Sequence, residues 1–171
     1  MNRSLLLVLG GILLLIILCV GLVVLPRFGR SGRPLTGQQV FIQAGCVSCH
    51  GANGQGDGVR VPPLAGSTWV QGEPARVKRI LLHGMTGPIK VGERTFDSVM
   101  PDFNRYPDEQ LAAVLTYIRT NSLWGNAASP IPAPSVTATR NATQGRRQPF
   151  TAAELLTIAQ DEYTPPATQP H

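Results

Sequence analysis

The stretch "AGCVSCHG", residues 44–51, places two of the chain's three cysteines and one of its three histidines within five positions. Three chemistries compete for such a cluster: a disulfide or redox pair, half of a zinc site, or covalent attachment of a haem. Zinc would need two further ligands at similar spacing, yet only His83 and His171 remain and there is no second cysteine pair. A thioredoxin-like pair needs βαβ surroundings, which the flanking sequence does not offer. The histidine decides the matter, because C-x-x-C-H is the pattern of c-type haem attachment. Two thioether bonds fix the macrocycle edge to Cys46 and Cys49, and His50 is carried under the iron as the proximal ligand. The expected cofactor is therefore one covalent haem c.

The iron needs a sixth ligand. Of three methionines, Met1 lies before a long apolar run, Met85 follows a helix stop in "LLHGMTGPI", and Met100 sits in "TFDSVMPDF". Pro101 stiffens the turn after Met100, and proline lowers the entropy of a loop that must hold its sulfur in place. Met100 is preferred. Met85 is read as a core filler and His83 as a cap on its own helix end, both standing as alternatives.

Around these residues the pattern predicts three helices and almost no strand, an all-α fold. The first covers residues 36–45 and leads into Cys46. The second covers 74–83, with Pro74 in its first turn and Gly84 as its stop. The third covers 107–121, where Leu111, Val114, Leu115 and Ile118 recur at i, i+3, i+4 and i+7. So few helices make a thin core that a large apolar cofactor would fill. Phe41, Trp69, Tyr117 and Trp124 are read as core residues, with Trp69 and Tyr117 the candidates to pack on the macrocycle. Arg94 is read as a solvated surface charge in preference to a partner for a haem propionate.

Outside residues 36–126 the composition changes. From Leu5 to Leu25 runs "LLLVLGGILLLIILCVGLVVL", without a charge. As a helix it would span about 31 Å, the thickness of a bilayer core of roughly 30 Å. Signal-peptide apolar regions are shorter, about 7–15 residues, so residues 1–25 are expected to be an uncleaved transmembrane anchor, with 26–35 a linker. Residues 127–171 are Pro-rich and read as an extended arm, in which Thr151 and Glu154 set up a capping box for a short helix near 151–160. The net charge of +5 does not mark a nucleic-acid binder. Residues 36–122 carry eight basic and seven acidic side chains, and the surplus lies in Arg3, Arg27, Arg30 and Arg33 beside the apolar run and in Arg140, Arg146 and Arg147. Cations beside a membrane helix meet lipid headgroups.

Taken in order, Gly37 and Phe41 before "CVSCHG", then "PPLAGSTWV", "LLHGMTGPI", "MPDF", "DEQLAAVLTYIR" and "LWGN" resemble the class I c-type cytochromes. The likeness is to the membrane-anchored or dehydrogenase-associated bacterial forms and covers residues 37–126. It implies the cytochrome c fold, thioether bonds at Cys46 and Cys49, and axial ligation by His50 and Met100. It further implies a hydrogen bond from the proximal imidazole to the carbonyl of Pro62, and a close crossing of the first and last helices at Gly37, Phe41 and Tyr117. The chain departs from the family at Pro107, where Ser or Thr more usually caps the last helix.

With both axial positions filled, the expected role is that of an electron carrier and not an enzyme, either mobile or as a fixed subunit of a larger oxidoreductase. Because haem is attached outside the cytoplasmic membrane in bacteria, the haem domain is expected on the periplasmic side of a bacterial inner membrane, held by a single pass. Its redox partners would be a terminal haem–copper oxidase, a bc-type complex or a quinoprotein dehydrogenase. The rival reading is a haem-based sensor or gas-binding module in which the methionine is labile.

Overall fold

The computed structural model describes residues 11–17, 33–158 and 161–164. The chain divides into two compact units, Met1–Pro34 and Leu35–His171. In the first, residues 11–17 are helical and their leucine and isoleucine side chains are exposed. The rest of the expected 5–25 anchor lies outside the described residues. No helix among the described residues is long and apolar enough to cross a membrane.

The second unit begins with α1 (Gly37–Gln43). Its start is fixed by a capping box, in which Gln39 N–H donates to Thr36 Oγ1 at 3.3 Å and Thr36 N–H donates to Gln39 Oε1 at 2.8 Å. The expected single helix through residue 45 breaks at Gly45, whose φ of 82° lets the chain turn directly into α2 (Cys46–His50). A one-turn helix, α3 (Thr68–Gln71), and then α4 (Pro74–His83) follow. Pro74 opens α4, where no N–H is required, and Glu73 accepts from Ala75 N–H. Helix α5 (Asp108–Arg119) buries Leu111, Val114, Leu115 and Ile118, the stripe its periodicity predicts. Pro107 occupies its N-cap position with no side-chain cap, and Asp108 and Glu109 complement the positive end of its dipole instead.

Helices α1 and α5 cross at Gly37. A Cβ there would run into the Ala113 carbonyl oxygen and stand 2.5 Å from Tyr117 Cβ. Beside the crossing, Phe41, Tyr117 and Trp124 form a mutual aromatic cluster with centroids 5.4–5.8 Å apart. Tyr117 therefore belongs to the helix crossing and does not wall the cleft described below. Asn126, fully buried, ties the end of this cluster down: its Oδ1 accepts from Gly66 N–H, and its Nδ2 donates to the carbonyls of Leu64 and Ile118.

Two features depart from the all-α expectation of helices joined by loops and an extended arm. The first is an antiparallel hairpin, β1 (Pro88–Val91) with β2 (Arg94–Asp97), in which Ile89 pairs with Phe96. Ile89, Val91 and Phe96 face inward and the residues between them face out, the period of a half-buried strand. Four residues per strand are too few for that period to stand out in the sequence.

The second is the arm. Residues 133–142 form α6 (Ala133–Ala142), packed on α4 and α5 with Ser135, Val136 and Thr139 buried. Pro132 and Pro134 sit at its N-terminus, where proline costs no hydrogen bond. The extension then reaches α7 (Ala152–Leu156), whose Thr151/Glu154 capping box forms as expected, although residues 159–160 of the expected helix lie outside the described residues. Past α7, Asp161 pairs with the fully buried Lys78, and Glu162 pairs with Arg79.

Substituting Gly37→Ala is expected to destabilise the domain by about 1–3 kcal/mol through overpacking at the crossing. Denaturant titration of the purified protein checks it.

Candidate functional site

Helix α2 is short, but it delivers three functional groups in one and a half turns. Cys46 is buried at its start, Cys49 is exposed one turn later, and His50 is buried at its end. Gly51, with φ 74°, then releases the chain into a loop that returns through Pro62. That return brings the Pro62 carbonyl within 3.1 Å of His50 Nδ1. A carbonyl only accepts, so Nδ1 carries the hydrogen, and the neutral ring presents its lone pair on Nε2. Burial pushes the imidazole's pKa below its ordinary value, while the Pro62 hydrogen bond opposes that shift. The ring is thus held neutral, in one tautomer, as a ligand requires.

These residues line a cleft of two adjoining cavities, of about 250 and 100 Å³. Both are walled by Cys46, His50, Pro62, Met85, Ile89 and Met100. Cys49 lines the wider cavity, so the structure brings Cys46, Cys49, His50, Pro62 and Met100 to one place from three separate stretches of chain. The narrower cavity runs into the apolar interior against Trp69, Val70, Leu81 and Leu115. Trp69 accordingly reaches the cleft, and its Nε1–H donates to the Lys90 carbonyl at 2.8 Å.

Met85 and Met100 lie side by side. Each N–H donates to the other's carbonyl, at 3.0 and 2.9 Å, as an isolated antiparallel bridge. Directly paired residues of an antiparallel ladder project to the same face, and both methionines line both cavities. Met85 is 5% exposed within a cluster containing Ile89, Val91, Phe96 and Phe150, whereas Met100 is partly buried between that cluster and the main core. His83 does not cap its helix, because Gly84 closes α4 and the His83 ring instead meets Thr143 Oγ1 at 2.7 Å. His83 and Arg94 both stand outside the cleft wall; Arg94 donates to the Gly58 carbonyl and lies over the Phe96 ring.

Several residues of the site escaped the sequence reading. Ile89 and Val91 of β1 wall the cleft, and so do Arg105 and Arg119. The guanidinium of Arg119 is buried and donates to the carbonyls of Val70, Gly72 and Ser129. The alternation of β1 is the signal that would have found Ile89 and Val91. Nothing in the local sequence marks Arg119, which sits in the last turn of α5.

The chemistry of the wall discriminates among the three original readings. The two cysteines form no disulfide, and burial pushes the Cys46 thiol up to about 11, the reverse of a redox-active thiolate. Among the described residues no three His, Cys, Asp or Glu side chains gather to hold a metal. The residues do fit a haem: two sulfurs at one wall, a neutral imidazole beside them, methionine thioethers in the same cleft, and an apolar lining.

Comparison with known proteins agrees. The cytochrome c family model matches residues 35–122. A cytochrome c-552 from Thermus thermophilus is 34% identical over 128 residues, covering 72% of this chain and 86% of the relative. A second cytochrome c-552, from a particular strain of the same organism, is 34% identical over the same share of this chain and 76% of its own length. Membership of that family implies covalently bound haem c, and Cys46, Cys49 and His50 supply its attachment motif.

In denatured protein, iodoacetamide is expected to leave Cys46 and Cys49 unmodified, and the peptide spanning them to carry the mass of haem. Alkylation of both sulfurs, read by mass spectrometry, would rule out thioether attachment.

Proposed function

The chain belongs to the cytochrome c family, and we propose that it is a membrane-anchored, monohaem electron carrier working on the periplasmic side of a bacterial inner membrane. The observation that carries this reading is the convergence of His50 and a methionine pair on one apolar cleft. Bound there, haem c supplies a one-electron iron couple, and ligation by His and Met favours electron transfer over activation of a bound molecule.

The chain's own residues then have distinct tasks. Cys46 and Cys49 hold the cofactor, so the carrier keeps it through every cycle. His50, oriented by Pro62, and Met100, with Met85 packed beside it, would hold the iron. Of the two, Met100 is favoured because it lies between the two hydrophobic clusters, at the edge of the second, and because Pro101 restrains its turn. Hydrophobic walls from β1, α4 and α5 exclude water from the narrower cavity.

Support for the anchor is the uncharged run from Leu5 to Leu25. Haem attachment argues for a periplasmic domain. The charge bias argues mildly the other way, with Arg3 before the run and Arg27, Arg30 and Arg33 after it. We weigh attachment more heavily, because it requires export, whereas charge bias is a tendency. Anchoring confines the carrier near membrane partners and raises its effective concentration there. A terminal oxidase, a bc-type complex or a quinoprotein dehydrogenase fits that position. The near balance of charge in residues 36–122 disfavours strong electrostatic steering to a diffusing partner, which suits a fixed subunit.

Met100→Ala is expected to keep the haem attached, abolish the near-infrared iron–sulfur band of the oxidised protein, and lower the reduction potential within the range of about 0.8 V that axial ligands command. Met85→Ala should retain the band; the opposite pattern would move the ligand to Met85. For the anchor, the full chain should leave bacterial membranes only with detergent, while residues 33–171 placed behind a cleavable export signal should appear in the aqueous periplasmic fraction. Aqueous recovery of the uncleaved full chain would refute anchoring.

A further inference from the structure

The segment that holds Met100 is not secured by the haem domain alone. Phe150, in the C-terminal extension, adds a third rung to the Met85–Met100 bridge. Its N–H donates to the Gly84 carbonyl at 3.1 Å, and its carbonyl accepts from Thr86 N–H at 2.9 Å, making a parallel pairing on the other side of Met85. Met85 is therefore clamped between Met100 and Phe150 by main-chain hydrogen bonds on both edges. The approach of the first pair depends on Gly84, at φ 76°, where a Cβ would stand 2.5 Å from the Met100 carbonyl oxygen.

Phe150 is itself fixed by a bracket of polar side chains. The Arg146 guanidinium lies 3.6 Å over its ring, and the His83 ring meets it edge-on at 5.7 Å. Arg146 donates to both carboxylate oxygens of Glu154, at 2.8 and 3.0 Å, and to the carbonyls of Gln148 and Pro149. Glu154 in turn accepts from Thr151 N–H, closing the α7 capping box. The Phe150 ring is 6% exposed and packs in the cluster that contains Met85, Ile89 and Phe96. An extension that served only to cover the surface would not need its main chain to complete the ladder of the ligand segment.

We propose that Phe150, locked by Arg146 and Glu154, is a positioning residue for the methionine ligand, so that the C-terminal extension governs how readily the iron–methionine bond gives way to another ligand. This rests on methionine ligation as proposed above. The extension acts through Met85: main-chain pairing fixes the Met85 backbone, and the Met85 backbone fixes that of Met100. Loosening the outer rung frees the whole ligand segment to swing from the iron, while the thioethers and His50 stay in place.

The test is imidazole competition on the oxidised, full-length protein in detergent, read by loss of the iron–sulfur band. Phe150→Ala and Arg146→Ala should each leave the band intact without imidazole. Phe150→Ala should raise imidazole affinity by about tenfold, the scale of one weakened hydrogen-bonded rung, and Arg146→Ala should raise it by less. Gly37→Ala, which destabilises the fold at the distant α1–α5 crossing, is the control and should leave imidazole affinity unchanged despite a lower urea midpoint. Equal urea destabilisation by Phe150→Ala with no change in imidazole affinity would reduce the extension to a structural cover and overturn the proposal. Absence of the band from the wild-type protein would overturn methionine ligation itself, and this inference with it.

Discussion

The constraint on which the rest of the structure depends is that the buried apolar side chains of the described residues form two clusters and not one. The larger gathers Phe41, Leu81, Leu111, Val114, Leu115 and Trp124 where α1, α4 and α5 meet. The smaller gathers Met85, Ile89, Val91, Phe96, Phe150 and Leu155 beneath the hairpin and the extension. Among the described residues Met100 is the one packed against both, and the cleft lies along their boundary. A macrocycle in that cleft would bury apolar surface against both clusters at once, so the cofactor would complete the core as well as supply the redox centre. Short helices suffice around it because the largest hydrophobic element of the domain is not made of amino acids.

The second cluster explains why the extension is part of the folded unit. Lys78 on α4 is fully buried, and burial pushes its pKa down against the pull of Asp161. Its ammonium donates to the Ser135 hydroxyl and carbonyl and to Asp161, all from the extension. Arg79 meets Glu162, which also accepts from Thr139 on α6. An ammonium with those partners removed would be left buried and unpaired, a cost of several kcal/mol that exceeds the value of most surface contacts. Residues 133–158 and 161–162 are therefore bound into the domain by charge satisfaction on one side of α4 and by the Phe150 rung beyond its C-terminal end.

The sequence was most legible where a single residue type is required by chemistry. Cys46, Cys49 and His50 announce themselves by adjacency, because attachment demands two sulfurs and an imidazole on one turn. Helix α5 was legible because its apolar period runs unbroken through four positions, and α4 because Pro74 and Gly84 punctuate it. The hairpin was not, since Ile89, Val91 and Phe96 give only three inward positions over ten residues. Helix α6 is hidden from the sequence for a different reason. Its Pro132 and Pro134 suggest extended chain by composition, yet at a helix start proline loses nothing, and Val136 and Thr139 gain burial that outweighs their poor helix propensity. The Pro62 carbonyl was reached through resemblance alone, because an acceptor on the main chain leaves no trace in side-chain pattern. The Phe150 rung is of the same kind.

That asymmetry bears on how such a site is built. An electron carrier must keep its ligand geometry nearly constant between two charge states, and both residues proposed as ligands here are held by the main chain. His50 answers to the Pro62 carbonyl, in the loop that leaves α2. Met100 answers to Met85, and Met85 to Phe150, sixty-five positions later in the sequence. Main-chain partners do not depend on the chemistry of their own side chains, so the geometry tolerates change in residue identity so long as packing, such as that of the Phe150 ring, still holds the backbones together. Only where a side chain would block that approach is identity fixed, as at Gly84 against the Met100 carbonyl. Gly84 and Pro62 are thus structural in origin, and the proposed ligation of the iron would depend on them as much as on His50 and Met100 themselves.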